Sequence, residues 1–587
     1  MKLKQTRRIV FPALLVASVL TMGLSRSVQA ADITAAERLP KDVYVYFSVP
    51  NVNEFKKRWN DSSSGKLLKD KAFDEFLKDI KAQLNVVSGQ AQQAVGFSLE
   101  ELLTIPSGEF SVAVVKGSTP IPGVVAFLDF GKSQNMVTKL LAKADTAAKR
   151  SGASATEEKS NGVTIHVYSP PNSGDGEEGA AGNPLSQLRL AYFIKGSMLV
   201  FGTDVPALKN VLARWDGKAD GSFSKAQVFS YIRKRCATDN RAPVLEWYLN
   251  PIDLIQQAIT ASKNVPPAAK GMFAFLPLLG VNKFRAIGGS VDLATKEFDS
   301  VSKTVVYVEQ PATGLLNLFR FPAVKQTPPK WVPASASTYS ALNWDFKSAY
   351  TSVESLFNMI NALNGPDALG KLLQKFADDP NGPGIHLKKD VIDQLSGQIH
   401  VASEITSTDS GPQARFTVAI GMKDKKKAEE LIGKITNHPT FPGKSRKVNG
   451  QNLYEIDLGA TFGGNTGTMG FALTQGSLIF CSDVKQLESI MLGNNPEKSL
   501  VDSKDYQRIA KRFPAKTSML SYSRSDAQLE AVWDQFRSGS FPLEIPGVNL
   551  SKLPPFSAVK KYLRPSGSYT IPDKNGAYME SFSLRAN

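Results

Sequence analysis

Short apolar runs recur along the first third of the chain, at 44–49, 110–115, 124–130, 163–168, 188–194 and 198–201. They are alternating or wholly apolar and rich in Val, Ile, Phe and Tyr, which predicts strands. Asn161-Gly162 and Asn449-Gly450 are tight-turn pairs entering such runs, and Lys195-Gly196 and Gln475-Gly476 sit between two of them. Turns this short join antiparallel neighbours. Helical spacing takes over at 132–147 and 206–214. The order predicts an α+β fold, an antiparallel β-sheet with helices packed mainly on one face, and it is also compatible with ferredoxin-like units.

The same pattern then returns. "KGSMLVFGTDVPALKNVL" (195–212) is answered by "QGSLIFCSDVKQLESIM" (475–491). Before them, 39–49 is answered by 332–342, 99–115 by 388–404, 123–141 by 416–432 and 160–168 by 448–456. After them, "FSYIRKRC" (229–236) meets "YQRIAKRF" (506–513) and "IGGSVDL" (287–293) meets "PSGSYTI" (565–571). The blocks keep one order while their offset drifts from about 293 to 277 residues, which a few loop insertions explain and chance similarity does not. The expectation is two tandem copies, 31–318 and 331–587. Between them lies a Pro-rich linker, 319–330, extended because proline and the residue before it disfavour helix. In the shared stretch, Gly196-Ser197 and Gly476-Ser477 should make the turn. Thr203, Asp204, Ser482 and Asp483 should cap the following helices, and Asp483 with Gln486 has capping-box spacing.

The N-terminus fixes the expected compartment. Lys2, Lys4, Arg7 and Arg8 precede an apolar run, and Val28-Gln29-Ala30 offers small residues before a cleavage point, so 1–30 reads as a signal peptide and residue 31 as the mature start. The Arg7-Arg8 pair raises twin-arginine export beside the ordinary route, and the short apolar run is also compatible with an uncleaved anchor. No other window approaches the roughly 18 apolar residues a membrane helix needs. The whole chain carries +16, of which Lys2, Lys4, Arg7, Arg8 and Arg26 lie in the leader, leaving +11 on the mature part. That excess is dispersed. The lysine run at 423–434 is the polar face of a helix whose apolar positions are Ala428, Leu431, Ile432 and Ile435, and no aromatics interleave with it as a nucleic-acid surface requires. No nucleic-acid partner is expected. With two cysteines, Cys236 and Cys481, and 42% apolar residues, stability should come from buried cores rather than a disulfide frame.

Catalytic patterns are sparse. The four histidines, His166, His386, His400 and His438, lack a second ligand type at metal-binding spacing, and HExxH, CxxC and GxSxG are absent. Ser63-Ser64-Gly65-Lys66 and Ser300-Val301-Ser302-Lys303 carry SxxK without the motifs that accompany it in acyl-transfer enzymes. The glycine-rich stretches 173–183 and 459–470 fall at one place in the repeat and read as connections. Asp129, Asp204 and Asp292 stand at strand ends, but only Asp204 recurs, as Asp483. Trp331, Trp344 and Tyr339 read as core. No catalytic, metal or cofactor residue is assigned.

The segments "LPKDVYVYFSVPNVNEFKKRW" (39–59), "PPKWVPASASTYSALNWDFKSAYTSVESLFNMI" (328–360) and "GIHLKKDVIDQL" (384–395) resemble a group of secreted proteins of planctomycete-type bacteria that carry a duplicated domain of unknown function. Each copy there opens on a Leu-Pro-x-Asp or Val-Pro-Ala strand. The resemblance implies the scaffold and brings no activity, cofactor or catalytic residue. The functional expectation is an exported, non-enzymatic envelope protein, periplasmic or on the cell surface, that binds or scaffolds an unknown envelope protein or polymer. The alternative is a secreted hydrolase with a site formed between the two copies.

Overall fold

Strands form where the β-branched and aromatic runs lie, and two further strands form where they do not. The computed structural model describes residues 33–95, 97–170, 189–217, 219–238, 241–261, 266, 271, 276–408, 411–458, 467–540 and 547–585. The proposed leader 1–30, the glycine-rich stretch 173–183 and most of 459–470 lie outside them. The architecture is α+β with a large antiparallel sheet. Contacts divide the chain into two compact units. One comprises residues up to Lys270, Arg285–Val305 and Pro542–Pro555; the other comprises Gly271–Phe284, Val306–Phe541 and Phe556–Asn587.

In the first unit the strands are β1 (Val43–Val49), β2 (Phe110–Val115), β3 (Gly123–Asp129), β4 (Ser154–Ser160), β5 (Val163–Ser169), β6 (Leu190–Lys195), β7 (Met198–Gly202), β8 (Leu245–Leu249), β9 (Phe284–Leu293) and β10 (Phe298–Val308). They are ordered β4-β5-β6-β7-β3-β2-β1-β8-β9-β10. In the second unit they are β11 (Thr338–Asn343), β12 (Leu395–Thr408), β13 (Gly411–Met422), β14 (Lys444–Val448), β15 (Gln451–Asp457), β16 (Thr468–Thr474), β17 (Ser477–Cys481), β18 (Met519–Arg524), β19 (Pro565–Asp573) and β20 (Gly576–Leu584). Their order is β14-β15-β16-β17-β13-β12-β11-β18-β19-β20. The second order is the first with each strand number raised by ten.

The strands the periodicity does not mark are β4, Ser-Ala-Thr-Glu-Glu-Lys-Ser, and β14, Lys-Ser-Arg-Lys-Val. Both stand outermost beside an Asn-Gly turn whose two residues have positive φ, 49° and 74° at Asn161-Gly162 and 48° and 78° at Asn449-Gly450. A polar strand there needs only the backbone ladder and the turn that starts it.

Helices pack on both faces of the β3–β7 end, where the expectation was helices mainly on one face. Helix Gln134–Arg150 places Val137 against Leu199 of β7 and Phe130, with Phe201 beside them. Helix Val205–Ala213 places Leu208 3.3 Å from where a Cβ on Gly202 would stand. Residues 199 and 201 face opposite to residue 202, since side chains alternate along a strand. The second unit repeats the arrangement. Ala428 and Ile432 of helix Lys425–Thr436 pack with Phe471 and Leu473, while Leu487 of helix Val484–Met491 stands 3.0 Å from a Cβ built on Gly470. Wholly apolar runs such as 124–128 have this meaning: both faces are covered. Burying Leu208, Val211 and Leu212 contributes about 1.5–3 kcal/mol each. On the lysine-rich helix Ala428, Leu431 and Ile432 are buried, whereas Ile435, expected on the same face, is exposed.

The turn of the shared stretch differs between the units. In the first, Lys195 pairs with Met198 around Gly196-Ser197, and Gly196 alone has positive φ. In the second, Thr474 pairs with Ser477 around Gln475-Gly476, both at positive φ, so the turn is not at Gly476-Ser477. A Gly-first turn and a turn with two left-handed residues both match strand twist, and one inserted residue converts the sequence register without moving the strands.

Candidate functional site

The acids that recur hold backbone. Asp204 Oδ1 accepts from Ala207 N at 2.8 Å, and its Oδ2 accepts from Ser118 N at 2.7 Å and Ser118 Oγ at 2.6 Å. Asp483 Oδ1 accepts from Lys485 N and Gln486 N, at 2.9 and 3.3 Å, and its Oδ2 meets Arg415 Nη1 at 3.1 Å. The helix-start N–H groups are satisfied this way because the helix has no carbonyl for them. Thr203 and Ser482 act elsewhere than the expected caps: their hydroxyls accept from Val124 N and Phe416 N, both at 2.9 Å, and so tie the preceding strand edge. Gln486 does not return a capping-box bond; its Oε1 is buried with no hydrogen-bond partner.

The histidines are dispersed. His400 is half-buried behind Tyr339, whose hydroxyl lies 2.8 Å from His400 Nδ1, and burial lowers its pKa. His166 stands 3.3 Å from Glu157 across the β4–β5 rung and stacks on Tyr192 with ring centroids 4.8 Å apart. Glu157's side chain is 65% exposed, so this is an open cross-strand pair. His438 Nδ1 meets Thr440, and the backbone N–H of His386 donates to Asp390. Among the described residues no group of three or more His, Cys, Asp or Glu stands where it could hold a metal ion. Asp129 accepts from Gly131 N at 3.0 Å. Trp331 and Tyr339 are buried, and the Trp344 indole donates to Leu318 O. Cys236 and Cys481 are buried thiols, and burial pushes Cys481 up to about 11.

A concave site does form in the first unit, where helix Gln227–Arg235 ends over β8 and β9. Its volume is about 240 Å³. Phe229 and Ile232 from the helix give it an apolar wall, Cys236, Trp247, Gly289 and Ser290 also line it, and Arg233, Arg241 and Glu246 supply charge. Arg233 Nε donates to Glu246 at 3.1 Å. Behind the wall, Asp292 accepts from Arg58 Nη1 at 2.8 Å and Arg241 Nε at 2.7 Å, and Arg58 Nη1 also donates to Ala242 O at 3.0 Å. This network fixes the segment 241–243 that forms one side.

Four groups here with nucleophilic or acid–base potential are bonded to the scaffold. Ser290 Oγ donates to Cys236 O at 2.6 Å, Lys303 Nζ donates to Ala237 O at 2.6 Å, and Glu246 and Asp292 each accept from arginine. The arrangement presents a guanidinium beside an apolar wall, which suits recognition. This cleft is not legible in the sequence. Arg233, Arg241, Glu246 and Trp247 carry no motif, and Cys236 and Asp292 were legible only as a small buried residue and an unrepeated acid. The available signal was that the similar blocks 229–236 and 506–513 end in Cys236 and in Phe513. No family model, curated protein or solved structure matches the chain. No described helix is long and apolar enough to cross a membrane.

Proposed function

We propose that the chain is an exported envelope protein, periplasmic or at the cell surface, that works by binding a protein or polymer partner and whose frame is two copies of one α+β unit. The observation that carries the binding reading is that Ser290, Lys303, Glu246 and Asp292, four of the reactive types around the cleft, are engaged by the protein's own backbone or arginines. The duplication reading is supported by the shared strand order and by Asp204 and Asp483 serving equivalent helix starts. Export rests on the basic leader and the small-residue cleavage point, and kinship with the secreted planctomycete-type proteins belongs to the same reading.

The test is expression of the full chain with a C-terminal tag, followed by fractionation and covalent capture. The reading expects a mature form in the envelope fraction and a partner retained at stoichiometric yield. A chain that stays in the cytoplasm overturns the export reading. Turnover of an envelope polymer by the purified chain overturns the binding reading in favour of a hydrolase.

A further inference from the structure

The two blocks 229–236 and 506–513 end differently, in Cys236 and in Phe513. Their isoleucines occupy matching places: Ile232 Cγ2 lies 3.2 Å from a Cβ built on Gly288, and Ile509 Cγ2 lies 2.4 Å from one built on Gly567. Phe229 meets Tyr248 edge-on at 5.8 Å, as Tyr506 meets Tyr522 at 5.6 Å. The strand registers agree, Tyr248 opposite Gly288 and Tyr522 opposite Gly567, so Ser290 corresponds to Tyr569. This moves the sequence pairing of Gly289 with Gly567 by one residue.

In the second unit the corner is filled. The Phe513 ring lies 6.3 Å from Tyr569 and 6.0 Å from Phe582. In the first unit the same corner holds a thiol and a serine hydroxyl, and there the cleft of about 240 Å³ opens. Charge differs too. Around the second corner Glu580 accepts from Arg512, Tyr569 and Tyr578. Lining the cleft, Arg233 and Arg241 stand with Glu246, an excess of one positive charge, and behind them Arg58 is held by Glu54 and Asp292.

We propose that the cleft of the first unit binds a small organic anion with an apolar body, an aryl- or alkyl-carboxylate. The Arg233 guanidinium, which uses Nε on Glu246, receives the carboxylate, and Phe229 and Ile232 receive the body. Arginine suits this role because its fork matches a carboxylate's two oxygens. The space corresponds to about eight water volumes and lies below the roughly 300–1,000 Å³ of drug-sized pockets, which selects a small ligand. The comparison of the two corners rests on the duplication reading; the cleft and its charges do not.

The experiment titrates the full mature chain with 3-phenylpropanoate by calorimetry and ligand-observed NMR, with 3-phenylpropan-1-ol as the neutral counterpart. Expected are saturable binding of the acid, about tenfold weaker binding of the alcohol, and about tenfold weaker acid binding by Arg233→Gln. Cys236→Phe, which imitates Phe513, should abolish binding while the fold persists. Absence of saturable binding, equal binding of acid and alcohol, or binding indifferent to both substitutions overturns the site. If Cys236→Phe unfolds the first unit, the correspondence with Phe513 is wrong, and Arg233→Gln alone decides the site.

Discussion

Asp204 and Asp483 begin equivalent helices, yet their replacement by alanine should cost unequal amounts. Each loses a cap worth about 1 kcal/mol. Asp204 is buried and also accepts both the backbone and the hydroxyl of Ser118, so Asp204→Ala strands two donors that had a charged acceptor. That adds about 2 kcal/mol, giving about 3 kcal/mol in all. Asp483 is more open, and its second oxygen meets only the partly exposed Arg415, so Asp483→Ala should cost about 1–1.5 kcal/mol. Native-state hydrogen exchange is the suitable assay, because a two-unit chain need not unfold in one step. Protection of helix Val205–Ala213 should fall about 100-fold in Asp204→Ala, against about tenfold for Val484–Met491 in Asp483→Ala. Asp204→Asn separates the contributions: it keeps an acceptor for Ala207 but turns an NH₂ group toward Ser118, so it should lose most of the extra 2 kcal/mol. Equal losses at the two sites, or a harmless Asp204→Asn, would refute the assignment of the second oxygen.

Three other outcomes follow from the same contacts. Asp292→Ala leaves the buried Arg58 with Glu54 as its remaining carboxylate and takes the carboxylate from Arg241, and should destabilise the first unit by about 2–3 kcal/mol in denaturant titration. His400 has a lowered pKa in the fold, so the unfolded chain protonates first as pH falls. Its contribution is present above about pH 6.5 and is lost as pH drops through the lower folded value, and His400→Phe should flatten that part of the second unit's stability–pH curve. Intact mass of the chain recovered from the envelope should match a start at residue 31; retention of residues 1–30 would show an uncleaved anchor.

Much of the frame was legible because β1, β2, β3, β5, β6 and β7 are written in apolar runs and their turns in Asn-Gly and Gly-Ser pairs. The polar strands β4 and β14 were not, since hydrogen bonding to a neighbour leaves no mark on side-chain polarity at a sheet's outer strand. The covering of both faces was written in the continuous runs at 124–128 and 198–201, but apolar runs do not state which helix covers which side. Thr203 and Ser482 illustrate a finer limit. A hydroxyl beside a cap residue has two backbone partners in reach, and only the geometry shows that the strand receives it. The cleft escaped because its members come from a helix end, one strand and the next, and become neighbours only through the β8–β9 register.

Co-sedimentation tests whether the chain, as proposed, binds its envelope target without converting it. Purified 31–587 is mixed with isolated envelope, and both the bound chain and the soluble material released are measured over time. Binding without conversion predicts saturable co-sedimentation with envelope mass unchanged. Release of soluble fragments in proportion to added chain, or no co-sedimentation at any concentration, would contradict it.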